Sequence, residues 1–325
     1  MLTQKRVVVA AAVAALLAIS LSTTTASLGE EDGLFQLCLL QCVNSQCSAT
    51  TSTPRTLSPL LRLTGWDCPQ DCSYECMHKR TKLAILRDMP IEQYHGKWPF
   101  IRFLGMQEPA SVLFSILNGL AHWVGLRRFA RNARHSQYPY YTLLRLSGLL
   151  AVNSWIWSMV YHTRDFPWTE RMDYFSAMAS ILFSLHVAIV RVFGLRSSRG
   201  CTRLFLMSAG YIYFLFHVMY LTLYDFDYGY NMLASIVVGA AHTLLWMAWA
   251  AANWRMRSAY AWKITVVGAA ITCAMSLELL DFPPIWGVFD AHSLWHAATI
   301  PIIPHLWDFF LCDALYITPV KIPGI

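Results

Sequence analysis

Long apolar stretches separated by short polar loops fill the C-terminal two thirds of the chain. Each stretch is close to the length of about 20 residues that an α-helix needs to cross a bilayer. Unpaired backbone groups are costly in lipid, and the stretches are too long and too continuously apolar for barrel strands, so they are predicted to be helices. We count seven: roughly 110–126, 141–161, 174–195, 204–223, 231–252, 262–280 and 294–316. The pattern predicts an all-α polytopic membrane protein with a seven-transmembrane helix bundle over residues 108–316 and a tail over 317–325.

The first residues have the pattern of a secretory signal. Lys5 and Arg6 precede an apolar run over 7–21, and small residues follow up to Ala26. This order is typical of a cleaved signal peptide, and the run is short for a membrane span, although an uncleaved anchor is the alternative. We expect residues 1–26 to be the signal peptide and the following residues to enter the secretory lumen.

Residues 27–107 form a distinct cysteine-rich segment before the first span. Six of the nine cysteines lie in it: Cys38, Cys42, Cys47, Cys68, Cys72 and Cys76. In an oxidising lumen, an even number of cysteines in a small domain favours disulfides, and six allow fifteen pairings. Metal binding is the alternative for spacings of this kind. The segment is therefore predicted to be a small disulfide-rich luminal domain, with its pairing left open.

Composition and charge exclude an ordinary soluble domain and a nucleic-acid-binding protein. The chain is 56% hydrophobic and only 14% charged, against about a quarter charged in a typical soluble domain. The net charge of +6 comes from short basic clusters between apolar stretches, which do not form a nucleic-acid-binding face. Twelve Lys and Arg lie in the loops and tail predicted to be cytosolic, whereas the luminal loops carry only Arg164 and Arg171. This asymmetry predicts a luminal N-terminal domain and a cytosolic C-terminus.

Ionisable residues gather at the luminal ends of three spans. Ser158 and His162 are four residues apart at the end of the second span, and Asp173 opens the third. His292 and His296 are also four apart, at the start of the seventh span. A spacing of four places two side chains on one face of a helix. We therefore expect these residues to meet at one membrane depth.

Three histidines with an open fourth position are the ligand set of a catalytic zinc site. We expect His162, His292 and His296 to bind Zn2+, which acidifies a bound water and polarises the carbonyl that the resulting hydroxide attacks. Asp173 would hold or deprotonate that water, and Ser158 would bond the water or the developing oxyanion. The pattern predicts a metal-dependent hydrolase.

Each of these residues also has a simpler interpretation. A lone histidine near a helix end often makes an interfacial hydrogen bond, and the His-x3-His spacing arises by chance. Ser158 could satisfy a backbone carbonyl, and Asp173 could face a helix dipole. All five residues are predicted to lie on the luminal side of the membrane, and that prediction comes from loop charges that do not involve them. Their shared placement favours a common site.

Other ionisable residues receive lesser roles. Three histidines inside the spans are expected to bond neighbouring helices and are left out of the site: His186, His217 and His242. Three acidic residues are candidates to orient the ligating histidines, with Asp290 the best of them: Glu278, Asp281 and Asp290.

Long motifs in the chain resemble the post-GPI attachment to proteins factor 3 family. They are His95–Phe100 (HGKWPF), Gln107–Ser111 (QEPAS), Asn153–Asp173 (NSWIWSMVYHTRDFPWTERMD), Phe226–Asn231 (FDYGYN) and Leu277–Pro301 (LELLDFPPIWGVFDAHSLWHAATIP). The resemblance also implies membership of a wider superfamily, which includes alkaline ceramidases and the progestin and adipoQ receptors. The superfamily is marked by Ser-x3-His, a following Asp and a late His-x3-His, which match Ser158, His162, Asp173, His292 and His296.

The resemblance implies an enzyme of glycosylphosphatidylinositol (GPI) anchor remodelling. Its members remove the unsaturated sn-2 acyl chain from GPI-anchored proteins. The expected partners of this chain are therefore GPI-anchored proteins and membrane lipid. The resemblance also implies a Golgi membrane protein, with the ER membrane as the alternative, and the tail Lys321–Ile325 has no ER-retrieval signal. Two rival functions stay open: a seven-transmembrane receptor-like protein and a ceramidase-type lipid amidase.

Overall fold

The computed structural model of the protein describes residues 28–47, 55–133, 137–195 and 200–318. The predicted signal peptide lies outside these ranges, as does the tail beyond residue 318. Within the described ranges, the helices before the membrane region are α1 Leu28–Glu31, α2 Gly33–Gln46, α3 Pro59–Leu63 and α4 Cys68–Leu86. The longest, α4, begins in a capping box between Asp67 and Gln70, with Pro69 in its first turn.

Three disulfides join α2 to α4, as a ladder between two antiparallel helices. The bonds are Cys38–Cys76, Cys42–Cys72 and Cys47–Cys68. The spacing of four or five residues places Cys38, Cys42 and the C-cap Cys47 on the side of α2 turned toward α4, and the three cysteines of α4 on the side turned toward α2. The predicted disulfide-rich domain is confirmed, and no thiolate of these six remains to bind a metal.

Among the described residues, seven further helices form the membrane bundle. They are α5 Pro109–Ala133, α6 Tyr141–Thr163, α7 Pro167–Val192, α8 Gly200–Met219, α9 Tyr228–Glu278, α10 Ala291–Thr299 and α11 Ile302–Ile317. A π-helical turn, Tyr220–Tyr224, continues α8. The described residues form no strand beyond isolated bridges. The chain is therefore an all-α, multi-pass membrane protein.

The structure has six membrane-length helical segments among its described residues, not seven separate helices. Helix α9 runs for 51 residues and would be about 77 Å long if straight, against about 30 Å of bilayer hydrocarbon. Its backbone breaks at Arg257 (φ −132°, ψ 22°). A Cβ at Gly268 would lie 3.0 Å from the Met247 side chain, so the second leg packs back against the first. The predicted spans 231–252 and 262–280 are these two legs.

The Trp307 indole of α11 packs between α5 and α6, where two glycines leave room for it. A Cβ added at Gly125 would lie 2.1 Å from this ring, and one at Gly148 would lie 2.7 Å from it. The ring also packs against Phe129, at 5.9 Å between centroids. The absence of a side chain at these glycines therefore sets how closely the three helices approach.

A buried ionic network closes the end of the bundle where α6 begins and α7 ends. Arg191 donates two hydrogen bonds to the Asp313 carboxylate, at 2.7 and 2.5 Å. The hydroxyls of Tyr138 and Tyr260 donate to the same carboxylate, at 2.6 and 2.9 Å. A buried charge is tolerated only when its partners satisfy it in this way. The opposite end of α6 carries His162.

Substitution of Gly125 by Ala is expected to destabilise the bundle. The added methyl would overlap the Trp307 ring, and overpacking of this kind costs about 1–3 kcal/mol of unfolding free energy. The thermal unfolding midpoint of purified protein in detergent measures the effect. Gly210→Ala is the control, because nothing lies within 4 Å of its Cβ position. Equal midpoints for the two variants would contradict the packing argument.

Candidate metal centre

Three imidazoles converge where the end of α6 meets the start of α10. His162 lies on α6, and His292 and His296 lie one turn apart on α10. One ring nitrogen from each lies within 4.8 Å of the others, and the Nε2 atoms of His162 and His292 are 3.3 Å apart. His162 and His296 are buried, whereas the side chain of His292 is 36% exposed. This histidine cluster is therefore reached from the side of His292.

Each imidazole of the histidine cluster is held through its Nδ1 atom by another element. Nδ1 of His162 lies 2.7 Å from Glu108 Oε2, and Nδ1 of His292 lies 2.8 Å from Glu278 Oε2. Nδ1 of His296 lies 3.1 Å from Ser115 Oγ. An imidazole that donates Nδ1–H presents the Nε2 lone pair on its other side. The three partners thus orient the rings from outside the cluster.

This arrangement fits a metal ion of the zinc type. If His162 and His292 both donate Nδ1–H to a carboxylate, their Nε2 atoms face each other as two acceptors, which only a shared proton or a cation satisfies. Two nitrogen ligands of a tetrahedral zinc, each about 2.0–2.1 Å from the metal, lie roughly 3.3 Å apart. The third imidazole in the same cluster favours the metal, and the carboxylate–histidine pairs are the usual outer partners of such ligands.

Glu108, which supports His162, stands immediately before α5 in a region of dense polar contacts. Its backbone N–H donates to the His162 carbonyl at 3.1 Å, and its side chain forms an ion pair with Lys97. Burial alone would raise the pKa of Glu108, but the Lys97 ammonium and the His162 ring hold it well below its usual range. Glu108 is thus a carboxylate acceptor for His162.

Ser158 reaches the histidine cluster through a second hydroxyl. Its Oγ atom lies 3.0 Å from Ser115 Oγ, which in turn contacts His296. Ser158 is buried, and the Trp155 ring on the same helix packs edge-on against His296 at 5.1 Å. Ser158 therefore belongs to a chain of polar groups ending at a ring of the cluster.

Asp173 projects from the first turns of α7 and is half-buried. Its carboxylate lies within electrostatic range of His162 and His292, although no hydrogen bond joins it to a ring of the histidine cluster. No hydrogen bond from the described residues reaches that carboxylate, so it is available to bind a water molecule or a ligand.

The structure thus brings together His162, His292 and His296, with changes in the supporting residues. Asp290 does not hold a ligand ring: it caps α10, and its Oδ1 accepts from the Ser293 backbone N–H at 2.9 Å. Glu278 fills the role expected of Asp290, while Asp281 accepts from Trp98 Nε1 at 2.7 Å.

Sequence reasoning missed three supporting residues. Glu108 and Ser115 hold two of the rings, and Asn118 Nδ2 donates to the His296 carbonyl at 2.8 Å. Glu108 carried the only available signal, as an acidic residue directly before an apolar span. Ser115 and Asn118 are ordinary helix residues in the sequence, and their roles depend on contacts with α10.

Comparisons with known proteins agree on one family. The sequence profile of the Per1-like family matches residues 58–314. The Danio rerio protein named GPI-specific phospholipase A2-like PGAP3 is 39% identical over 93% of this chain and 95% of its own length, and the Homo sapiens protein of that name is 39% identical over 93% and 94%. The Schizosaccharomyces pombe Protein PER1 homolog is 37% identical over 90% and 88%. No solved structure matches. This chain belongs to the Per1-like family.

Proposed function

We propose that this protein hydrolyses the sn-2 acyl ester of GPI-anchored proteins and so takes part in GPI-anchor remodelling. The names of its PGAP3 relatives, which share 39% of its residues over nearly the whole chain, indicate the substrate class. The structural observation that carries the proposal is the convergence of three imidazoles, each fixed through Nδ1 by another residue.

The histidine cluster would hold a zinc ion through His162, His292 and His296. Zinc bound in this way supplies an acidified water molecule and polarises an ester carbonyl. The carboxylates of Glu108 and Glu278 would stabilise the rings in the ligating tautomer, and the exposed side of His292 would admit the substrate.

Asp173 would accept the proton of the attacking water. A general base must lie within hydrogen-bond reach of the proton that it removes. The Asp173 carboxylate lies within electrostatic range of His162 and His292 and receives no hydrogen bond from the described residues, so its oxygens can accept one from that water. Proton transfer to Asp173 would leave the oxygen nucleophile directed at the ester carbon.

Ser158 would donate a hydrogen bond to the ester carbonyl oxygen. If His296 ligates through Nε2, its Nδ1–H donates to Ser115, and the Ser115 hydroxyl then donates to Ser158 Oγ. The Ser158 O–H is consequently free to point away from Ser115. A hydroxyl oriented in this manner stabilises the negative charge that develops on the carbonyl oxygen.

The location of the site suits a lipid ester. The histidine cluster lies at the ends of membrane-length helices, and the ester of a GPI lipid lies just below the headgroups of the luminal leaflet. We propose that the disulfide-rich domain and this site face the lumen of the Golgi, with the ER membrane as the alternative. Residues 27–107 would then be the luminal domain, 108–316 the hydrolase bundle and 317–325 the cytosolic tail.

Loss of two ligands is expected to abolish both metal binding and lipid remodelling. His292→Ala/His296→Ala removes two of three imidazoles, so cells lacking the endogenous enzyme should keep unsaturated sn-2 chains on their GPI-anchored proteins, as measured by lipid mass spectrometry. His305→Ala is the control, because His305 is an exposed histidine of α11 outside the cluster. Full remodelling by the double variant would remove these histidines from the mechanism. Wild-type hydrolysis of ceramide in place of the GPI lipid would support the amidase alternative.

Asp173→Asn is expected to keep metal while losing turnover. The amide preserves the shape of the side chain but cannot accept the proton of the water molecule. Metal content by mass spectrometry and hydrolysis of a defined GPI lipid by purified protein separate the two effects. A parallel loss of metal and activity would make Asp173 a ligand or a folding residue.

The two supporting carboxylates are expected to set the affinity for metal. Glu108→Gln or Glu278→Gln removes the charged acceptor of a ligand ring, a change that typically weakens metal binding by about 10–100-fold. Chelator competition with zinc measures the dissociation constant. Glu31→Gln, at an exposed glutamate of α1, serves as the matched control. Unchanged affinity in both site variants would show that these carboxylates do not act through the metal.

A further inference from the structure

A tight turn, Tyr94–Lys97, lies in the segment between the disulfide-linked helix α4 and the first helix of the bundle, α5. Tyr94 and Lys97 exchange two backbone hydrogen bonds, at 2.7 and 3.0 Å, around His95 and Gly96. Both central residues have positive φ, +52° and +72°, which is the conformation of the tightest hairpin turns. The turn therefore fixes the position of Lys97 relative to Tyr94.

Tyr94 anchors this turn to the disulfide ladder. Its ring is buried against Phe35, with 4.9 Å between centroids, and belongs to one apolar cluster with Cys76. Cys76 is bonded to Cys38, so the ring packs on a cross-linked helix pair. In addition, Gly29 N–H donates to the Gln93 carbonyl at 3.1 Å. The first residue of the turn is thus packed against the disulfide-linked helices.

Lys97, the last residue of the turn, extends toward the histidine cluster. Its ammonium forms an ion pair with Glu108, lies 3.2 Å from Asp165, and stands 4.3 Å from the centre of the Tyr161 ring. Glu108 uses Oε1 for Lys97 and Oε2 for His162. A continuous series of contacts therefore runs from the disulfide ladder to a ring of the cluster.

The same segment also contacts the loop that follows Glu278, the other ring support. Trp98 Nε1 and Gln93 Nε2 both donate to Asp281, at 2.7 and 3.1 Å, three residues after Glu278. Ile101 N–H donates to the Gly287 carbonyl at 2.8 Å. The segment thus spans the gap between the two carboxylate supports, but only Lys97 contacts one of them directly.

We propose that Lys97 is a positioning residue through which the disulfide-rich domain orients His162 for metal binding. The inference rests on the proposed function in taking the histidine cluster as a metal site. Lys97 makes no hydrogen bond to a ring of the cluster; it fixes one oxygen of Glu108 so that the other stays on His162 Nδ1. The disulfide-rich domain is then part of the site's support rather than a separate cover.

Lys97 variants of the purified full-length protein test this role by zinc affinity under chelator competition. Lys97→Met is expected to weaken zinc binding by about 10–100-fold, the range found when outer partners of ligands are lost. Lys97→Arg keeps the charge and should restore most of the affinity. Lys79→Met, at an exposed lysine of the same domain, should behave as wild type. On a GPI lipid, kcat should fall in Lys97→Met while KM changes little, because the ammonium is engaged by Glu108 and Asp165.

A double-mutant cycle with Glu108→Gln separates positioning from a general loss of fold. If Lys97 acts through Glu108, adding Lys97→Met to Glu108→Gln causes no further loss of zinc affinity. Two results would overturn the proposal: zinc-affinity losses that multiply in the double variant, or wild-type zinc affinity in Lys97→Met. A wild-type protein that binds no zinc would overturn both the metal mechanism and this role. If the wild-type protein binds zinc but does not hydrolyse the GPI lipid, only the substrate assignment is wrong. The zinc-affinity measurements then still decide the role of Lys97.

Discussion

Three imidazoles can face one point in this bundle because each gives its Nδ1 atom to a partner on another element. Glu108 precedes α5, Ser115 lies within α5, and Glu278 ends α9. In a low-dielectric interior, an imidazole without such a partner would lose a hydrogen bond and its preferred tautomer together. The geometry of the cluster is thus imposed from outside it, and the fold around it can be understood as the means of bringing three supports to one place.

Two polar groups at opposite ends of α6 and α7 hold the bundle together. At one end, Asp313 accepts from Arg191, Tyr138 and Tyr260, which joins the start of α6 to α7, α9 and α11. At the other end, the histidine cluster joins α6 to α10. Between them the helices gain no hydrophobic driving force from lipid, whose chains are as apolar as the core, so close packing such as that of Trp307 acts together with polar contacts. The ionic groups therefore add to the choice of neighbouring helices.

The sequence predicted those features that depend on local pattern. Apolar length gave the spans, and the even number of cysteines in one short segment gave the disulfides. The four-residue spacings gave four of the five site residues, of which the three histidines do meet. The fifth, Asp173, came from its place at the start of the third span. It could not choose among cysteine pairings, which depend on how α2 lies against α4. It also missed Glu108, which is 54 residues from its partner His162. Asp290, the best of the three acidic candidates by sequence, does not hold a ring, because its position before α10 commits it to the helix cap.

The fold-back of α9 at Arg257 has a consequence for the evolution of chain length in this protein. The two legs return the chain to the side from which it came, so Glu278 arrives beside His292 as the last residue of a continuous helix. Each residue inserted into or deleted from the second leg would rotate that carboxylate by about 100° around the helix axis. A loop between two spans absorbs such changes, but a helix transmits them. The phase of the second leg is therefore as constrained as the identity of the residue that it carries.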